Sequence, residues 1–322
     1  MTDELLVANG DVTLRVEVAG SGPTILCVHG WPELAHSWRH QVDHFSQRGY
    51  RIAAMDVRGY GGSSAPDGIE RYTLRELAGD VAAVAAALDD APVVLFGHDW
   101  GAPIAWNAAI RHPDRVRAVA GLSVPHTPQL PFSLLDVFDQ VYADRFFYML
   151  YFQTPGVAEA AFEADLRGAL KRVFYSLSGE ASALGVGKFM SGGARDAALL
   201  DQLPDPPAGP LGFLSDDDLD VYVQAFERSG TAGGFNRYRA MAFDAEVSAD
   251  IVGATVDQPS CFVGGEFDLV RSMIPGSDSF ADAGSACTDF RGSTIVAGAG
   301  HWVQQEAPAA VNAALEEFLR GL

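Results

Sequence analysis

The chain has 322 residues, about half apolar, a tenth aromatic and a fifth charged, which places it among globular proteins with length for one large domain carrying an insertion or for two modest ones. Asp and Glu number 42 against 22 Lys and Arg, a formal charge of −20, so the surface field repels phosphate backbones and anionic membranes and argues against a nucleic-acid partner. No window approaches the roughly 18 to 20 apolar residues of a membrane span, the N-terminus lacks a secretory pattern, and Cys27, Cys261 and Cys287 show no metal spacing, so a soluble, cytoplasmic protein with buried thiols is expected.

In chain order, "LLVANGDVTLRVEVAG" gives two alternating runs about Asn9-Gly10, a pair suited to the positive φ of a tight hairpin turn, and hence an antiparallel edge. Next come short apolar runs in "TILCVHG", "RIAAMDVRG", "PVVLFGHD", "RVRAVAGLSVP", "PSCFVGGEFD" and "STIVAGAGH", each ending in Gly or a polar residue, which predicts strands buried on both faces. Helical patterns fill the gaps: "TLRELAGDVAAVAAALDD", opened by Thr73 and Glu76 at capping-box spacing, "APIAWNAAIRH" and "AAVNAALEEFLRGL". The alternation predicts an α/β protein with an open, largely parallel sheet, whose ligands sit beyond the carboxyl ends of the strands. It stops near Pro128 and resumes near Pro259. The stretch between is rich in Phe, Tyr and helix-forming sequence, with a Gly/Pro-rich loop over 190–212 and a helix in "DDDLDVYVQAFERS" whose acidic first turn fits the helix dipole. The expected division is a core of residues 1–128 and 249–322 and an inserted helical domain of residues 129–248.

In "GHDWG", Gly97 and Gly101 bracket Asp99 at the spacing of a nucleophile elbow, where a strained strand-to-helix turn presents one side chain into a cleft. Alone this pattern is weak, since an N-cap aspartate fits it too; "HGWP" after the first parallel strand and His301 after the last strengthen it. A carboxylate attacks a carbonyl poorly but displaces a leaving group at saturated carbon, giving an alkyl ester that water activated by His301 can split. His301 then needs a carboxylate partner to fix its tautomer. Asp268 in "GGEFDLV" is the first candidate and Glu266 the alternative. Ester hydrolysis develops an oxyanion on Asp99, and the main-chain N–H groups of Trp31 and Trp100 are placed to receive it, with their indoles either lining the pocket or packing the core.

The order "HGWP", "DVRGYGGSSAP", "GHDWGAP" and "GHW" resembles the α/β-hydrolase-fold epoxide hydrolases over most of the chain. The resemblance implies that fold, Asp99 as nucleophile, Asp268 and His301 as the water-activating pair, and Trp31 and Trp100 at the oxyanion hole. It further implies two cap tyrosines that protonate the epoxide oxygen, because an opening epoxide expels an alkoxide more basic than a phenolate. "FFYMLYFQTPGVAEA" resembles the first cap motif and nominates Tyr148, with Tyr151 a packing residue; "GGFNRYRAM" resembles the second and nominates Tyr238, although Arg237 stands where an aromatic is frequent. Phe152, Trp31 and Trp100 are expected to contact an apolar, aryl-bearing epoxide. Water is the co-substrate, no cofactor or metal is called for, and a homo-oligomer is left open.

Two other readings share these residues. A dehalogenase uses the same Asp and His but needs only hydrogen-bond donors for a halide, and the paired tyrosines argue against it; Trp100 also stands where fluoroacetate dehalogenases carry an arginine. A ligand-binding protein that kept the fold and lost turnover is the second. His29 is expected to support its loop, His36, His40, His44 and His112 to be exposed, His126 to reach the cleft rim, and "DVRGYGGSS" to form a tight turn, since it lacks the Lys-Ser/Thr of a phosphate loop.

Overall fold

The computed structural model describes residues 2–186 and 193–322. Its strands are β1 (Asp3–Asn9), β2 (Val12–Gly20), β3 (Thr24–Val28), β4 (Arg51–Met55), β5 (Val93–His98), β6 (Val116–Leu122), β7 (Ser260–Gly265) and β8 (Phe290–Val296), in one sheet ordered β1-β2-β4-β3-β5-β6-β7-β8. The β1–β2 and β2–β4 pairs are antiparallel and the rest parallel, the arrangement expected. The hairpin differs in one detail. Asn9 is the last strand residue, paired with Val12, so the turn is Gly10-Asp11, with the positive φ at Gly10 alone.

Helices α1 (Arg39–Ser46), α2 (Leu74–Leu88) and α3 (Gly101–Arg111) follow β3, β4 and β5, while α13 (Val303–Glu306) and α14 (Pro308–Arg320) follow β8. Alternate residues of the central strands feed two layers. Leu26, Val28 and Leu95 pack with α2 and α3, whereas Ile25, Cys27 and Phe96 pack with α1 and α14. From β3 the chain crosses to β4 on one side and then to β5 on the other. This reversal opens a crevice at the carboxyl ends of β3 and β5, where the loops leave in opposite directions.

Strand burial departs from expectation at β8. Arg291 through Ile295 are exposed, because β8 is the sheet edge and covered on little of its surface. At α2, Thr73 accepts from the Glu76 N–H, but the Glu76 carboxylate turns to Arg58 and leaves the capping box half made.

Between β6 and β7 the described residues form α4 (Leu134–Val141), α5 (Tyr148–Tyr151), α6 (Val157–Ala164), α7 (Leu166–Ser176), α8 (Gly179–Ala183), α9 (Leu199–Gln202), α10 (Asp216–Ser229), α11 (Ala232–Arg239) and α12 (Met241–Val247). The acidic start of α10 is closed by a capping box between Ser215 and Asp218. Of the loop expected over 190–212, residues 190–192 lie outside the described residues, and the remainder contains the short helix α9. Among the described residues no helix is long and apolar enough to cross a membrane. Cys27, Cys261 and Cys287 are free thiols, the first two buried.

Candidate active site

Asp99 leaves β5 with φ +50, one of two non-glycine residues at positive φ among the described residues. The turn is forced by close approach on both sides. A Cβ at Gly97 would lie 2.3 Å from the Gly101 carbonyl oxygen, and one at Gly30 would lie 2.2 Å from Asp99 Oδ1 and 2.6 Å from the Trp100 nitrogen. Glycine is therefore what lets the two loops at the sheet crevice meet. The meeting is functional in form: the Trp31 N–H donates to Asp99 Oδ1 at 2.7 Å, with the Trp100 nitrogen at the same corner.

The other carboxylate oxygen, Oδ2, lies 3.4 Å from His301 Nε2. On the far side of the ring, Nδ1 faces Asp268 at 3.1 Å and 3.2 Å to its two oxygens. Asp268 is buried at the end of β7, where it also accepts from the Val270 N–H. Burial pulls the His301 imidazolium down, but the Asp268 carboxylate, joined by Asp99, more than reverses this and holds it well above the usual histidine range. Glu266 is exposed and accepts from the Gly298 N–H, away from the ring.

Tyr148 opens α5 and Tyr238 lies in α11; both are buried, with ring centroids 5.7 Å apart. They line, together with Asp99, His301, Asp268 and Trp31, a cavity of about 20 Å³. Burial pushes both phenols well above their ordinary value of 10, followed by the negative charge of Asp99 for Tyr148, and by Tyr148 and then Asp99 for Tyr238. Both are therefore protonated at neutral pH and able to donate.

Phe152, expected at the substrate, lies deeper than the two tyrosines. It is fully buried behind the tyrosines, 5.2 Å from Trp31 and 4.9 Å from Tyr238 between centroids, and lines neither this cavity nor the larger one beside it. It braces the two residues that do face the cleft. Tyr151 is half-buried against Phe146, and His126 lines the larger cavity. His29 supports its loop, accepting the Val57 N–H at Nε2 and donating from Nδ1 to Gly30. His36, His40, His44 and His112 are half-buried, and Asp218 and Glu316 hold His36 and His44 at 2.7 Å each. In "DVRGYGGSS" the turn closes on Asp56, which accepts the Gly62 N–H.

Several supporting residues had no voice in the sequence. His98 and Glu33 are wholly buried beneath the site: His98 Nδ1 meets Glu33 at 2.6 Å and Nε2 meets the His301 carbonyl at 2.7 Å, so both ring nitrogens face acceptors. Gln304 and Gln305 complete the Glu33 carboxylate. Ser123, the second positive-φ residue, donates to the same His301 carbonyl. The only signal was position, His98 being adjacent to Asp99. Arg237, the departure noted at the second tyrosine motif, is buried with its guanidinium 4.7 Å from the Trp100 ring and hydrogen-bonds Asp244 and the Tyr72 carbonyl, tying α11 to the start of α2.

Residues 23–308 match the family described as the alpha/beta hydrolase fold. The chain is 40% identical to epoxide hydrolase A of Mycobacterium tuberculosis, over 100% of this chain and 98% of that one, and 34% identical to epoxide hydrolase B of the same organism, over 94% and 92%. Among solved structures it is similar to epoxide hydrolase A from Mycobacterium thermoresistibile (TM-score 0.91, 41% identity, 100% and 99% of the two chains). It is also similar to an epoxide hydrolase from an endophytic Streptomyces (TM-score 0.92, 38% identity, 99% and 96%). The chain belongs to the α/β-hydrolase-fold epoxide hydrolases.

Proposed function

We propose that this protein converts an apolar epoxide and water to a vicinal diol through an ester on Asp99, with residues 129–248 acting as a cap over the α/β core. The observation that carries the proposal is the fixed carboxylate of Asp99, with Oδ1 on the Trp31 N–H, Oδ2 toward His301, and two protonated tyrosines lining the same cavity.

In the first step Asp99 attacks an epoxide carbon, the C–O bond breaks, and its electron pair leaves on oxygen, which takes a proton from Tyr148 or Tyr238. Esterification removes the charge of Asp99 and with it part of what held His301 protonated, and the proton His301 gives up passes through solvent to the tyrosinate. In the second step neutral His301, steadied by Asp268, removes a proton from water, and the hydroxide attacks the ester carbonyl. The oxyanion falls to the N–H groups of Trp31 and Trp100, each such donor worth about 3 kcal/mol of barrier. Collapse releases the diol, the proton of the new acid passing to the leaving alkoxide, and leaves the Asp99 carboxylate beside a His301 that keeps the proton taken from water, which is the starting state. A cytoplasmic location belongs to the same proposal, supported by three free thiols.

A single turnover of excess enzyme with styrene oxide in ¹⁸O-water tests the route. The first-turnover diol is expected to be unlabelled, its new oxygen coming from Asp99; labelled diol means direct attack by water and removes Asp99 from its role.

A further inference from the structure

Two cavities meet at Asp99, Tyr148 and Val270, one of about 320 Å³ and one of about 20 Å³. The larger runs along α3, where Pro103, Trp106 and Ile110 share one face at spacings of three and four residues. The seven steps from Pro103 to Ile110 make about 10 Å of wall at 1.5 Å per residue. Met241 and Met273, flexible and apolar, line the same space. Its volume is that of a ligand pocket, since such sites start at about 300 Å³.

The smaller cavity is walled by His301, Asp268, Trp31, Tyr238, Leu177 and Leu269. None of these six lines the larger one. A water needs roughly 10 to 15 Å³, so the small cavity has room for one water. Of the two spaces it alone borders both His301 and Asp99, which makes it the seat of the water that splits the ester. Any carbon chain placed there takes the seat of that water.

We propose that the natural substrate is a terminal epoxide: one ring carbon bears an apolar substituent about 10 Å long that lies along α3, and the other bears only hydrogen. The inference rests on the epoxide-hydrolase reading above, and it names which epoxides that site turns over. An internal epoxide with two long arms either fails to enter or alkylates Asp99 and stalls, because its second arm displaces the hydrolytic water.

The test compares two isomers of one formula, 1,2-epoxydecane and trans-5,6-epoxydecane, with the full chain. The terminal isomer is expected to be favoured at least about 100-fold in kcat/KM, the scale at which a closed pocket rejects extra carbon. A mass adduct on Asp99 that persists with the internal isomer, and clears with the terminal one, supports the displaced-water reason directly. Leu177→Ala is expected to narrow the ratio by about 10-fold through the internal isomer. Leu269→Ala makes the same enlargement from the opposite wall should the first variant fail to fold. Equal turnover of both isomers overturns the substrate assignment and leaves the Asp99 ester route standing. No diol from either isomer, nor from styrene oxide, overturns the functional reading itself.

Discussion

Asp99, Asp268 and His301 reach the cleft from the sheet, and Tyr148 and Tyr238 reach it from helices, and the two sets are held in place by different forces. The first three follow β5, β7 and β8, and two of those strands are buried along their whole length. Their positions follow mainly from backbone: parallel ladders and glycines where an added Cβ would lie within about 2.3 Å of a neighbouring atom, with the His98 and Ser123 side chains holding the His301 carbonyl. The tyrosines depend on side chains. Tyr148 starts a helix of four residues, and Tyr238 sits between Arg237 and Arg239, each pinned by a carboxylate, Asp244 for one and Glu159 for the other. The sheet set is thus rigid by topology, and the helix set is rigid only while its ion pairs and aromatic packing hold.

The largest expected effect breaks the chemistry between the two sets. His301→Gln keeps Asp99 charged and the tyrosines in place, so ring opening proceeds, while ester hydrolysis falls by about 10³-fold or more. Intact-protein mass after substrate addition should show Asp99 carrying the substrate's mass; an inactive variant without adduct contradicts the division of labour. In the wild type, ester decay should quicken as pH rises, because a histidine held up by carboxylates must first lose its proton. Its apparent pKa in the ester should lie below that of the free enzyme, since Asp99 no longer contributes.

Next in size, Tyr148→Phe and Tyr238→Phe should each slow ring opening by about 10²-fold, and the pair by more, with ester decay unchanged. Rapid-quench measurement separates the steps, and a double variant that opens epoxides at wild-type rate removes the tyrosines from the mechanism. Arg237→Met then probes the mooring. It leaves Asp244 with only the Leu74 N–H, and losing one member of a buried pair costs about 3 to 5 kcal/mol in urea unfolding. Ring opening through Tyr238 should slow while ester decay holds; an equal loss in both steps shows that Arg237 does not act on the helix set alone.

The same division explains what was legible in the sequence. Strand ends advertise themselves: a short apolar run followed by Gly and a polar residue pointed to Asp99, Asp268 and His301, and the expected burial failed at β8, the sheet edge, which is covered on little of its surface. Residues held by side-chain networks leave no local period. Tyr148 and Tyr238 emerged from resemblance to a family, not from spacing. Phe152 shows the limit of pattern, since an aromatic beside Tyr148 and Tyr151 gives no sign in the sequence of which face it takes. Glu33 and His98 are buried polar partners that lie 65 residues apart, and Arg237 was visible as a departure while its partner Asp244, on the next helix, was not.

Glu306 ties the His301 turn to α8, and its titration is the smallest of the expected effects. Its half-buried carboxylate accepts N–H groups from Gly300 and Trp302, on either side of His301, and from Gly179 at the start of α8. Burial raises it from 4.5 to about 7 despite those donors, with Asp268 adding to the rise. A carboxyl whose folded value is raised keeps the folded state more protonated than the unfolded chain. Its contribution is therefore full below pH 4.5 and lost as pH climbs to 7 and beyond. The span corresponds to about 3 kcal/mol at most, and partial solvent contact reduces it to roughly 1 to 3 kcal/mol. Glu306→Gln cannot titrate, so the stability advantage of wild type over the variant should shrink by that amount between pH 5 and pH 8 in urea unfolding. A constant gap across that range means the carboxyl titrates near its ordinary value, and the seam between α8 and the His301 turn is then indifferent to pH.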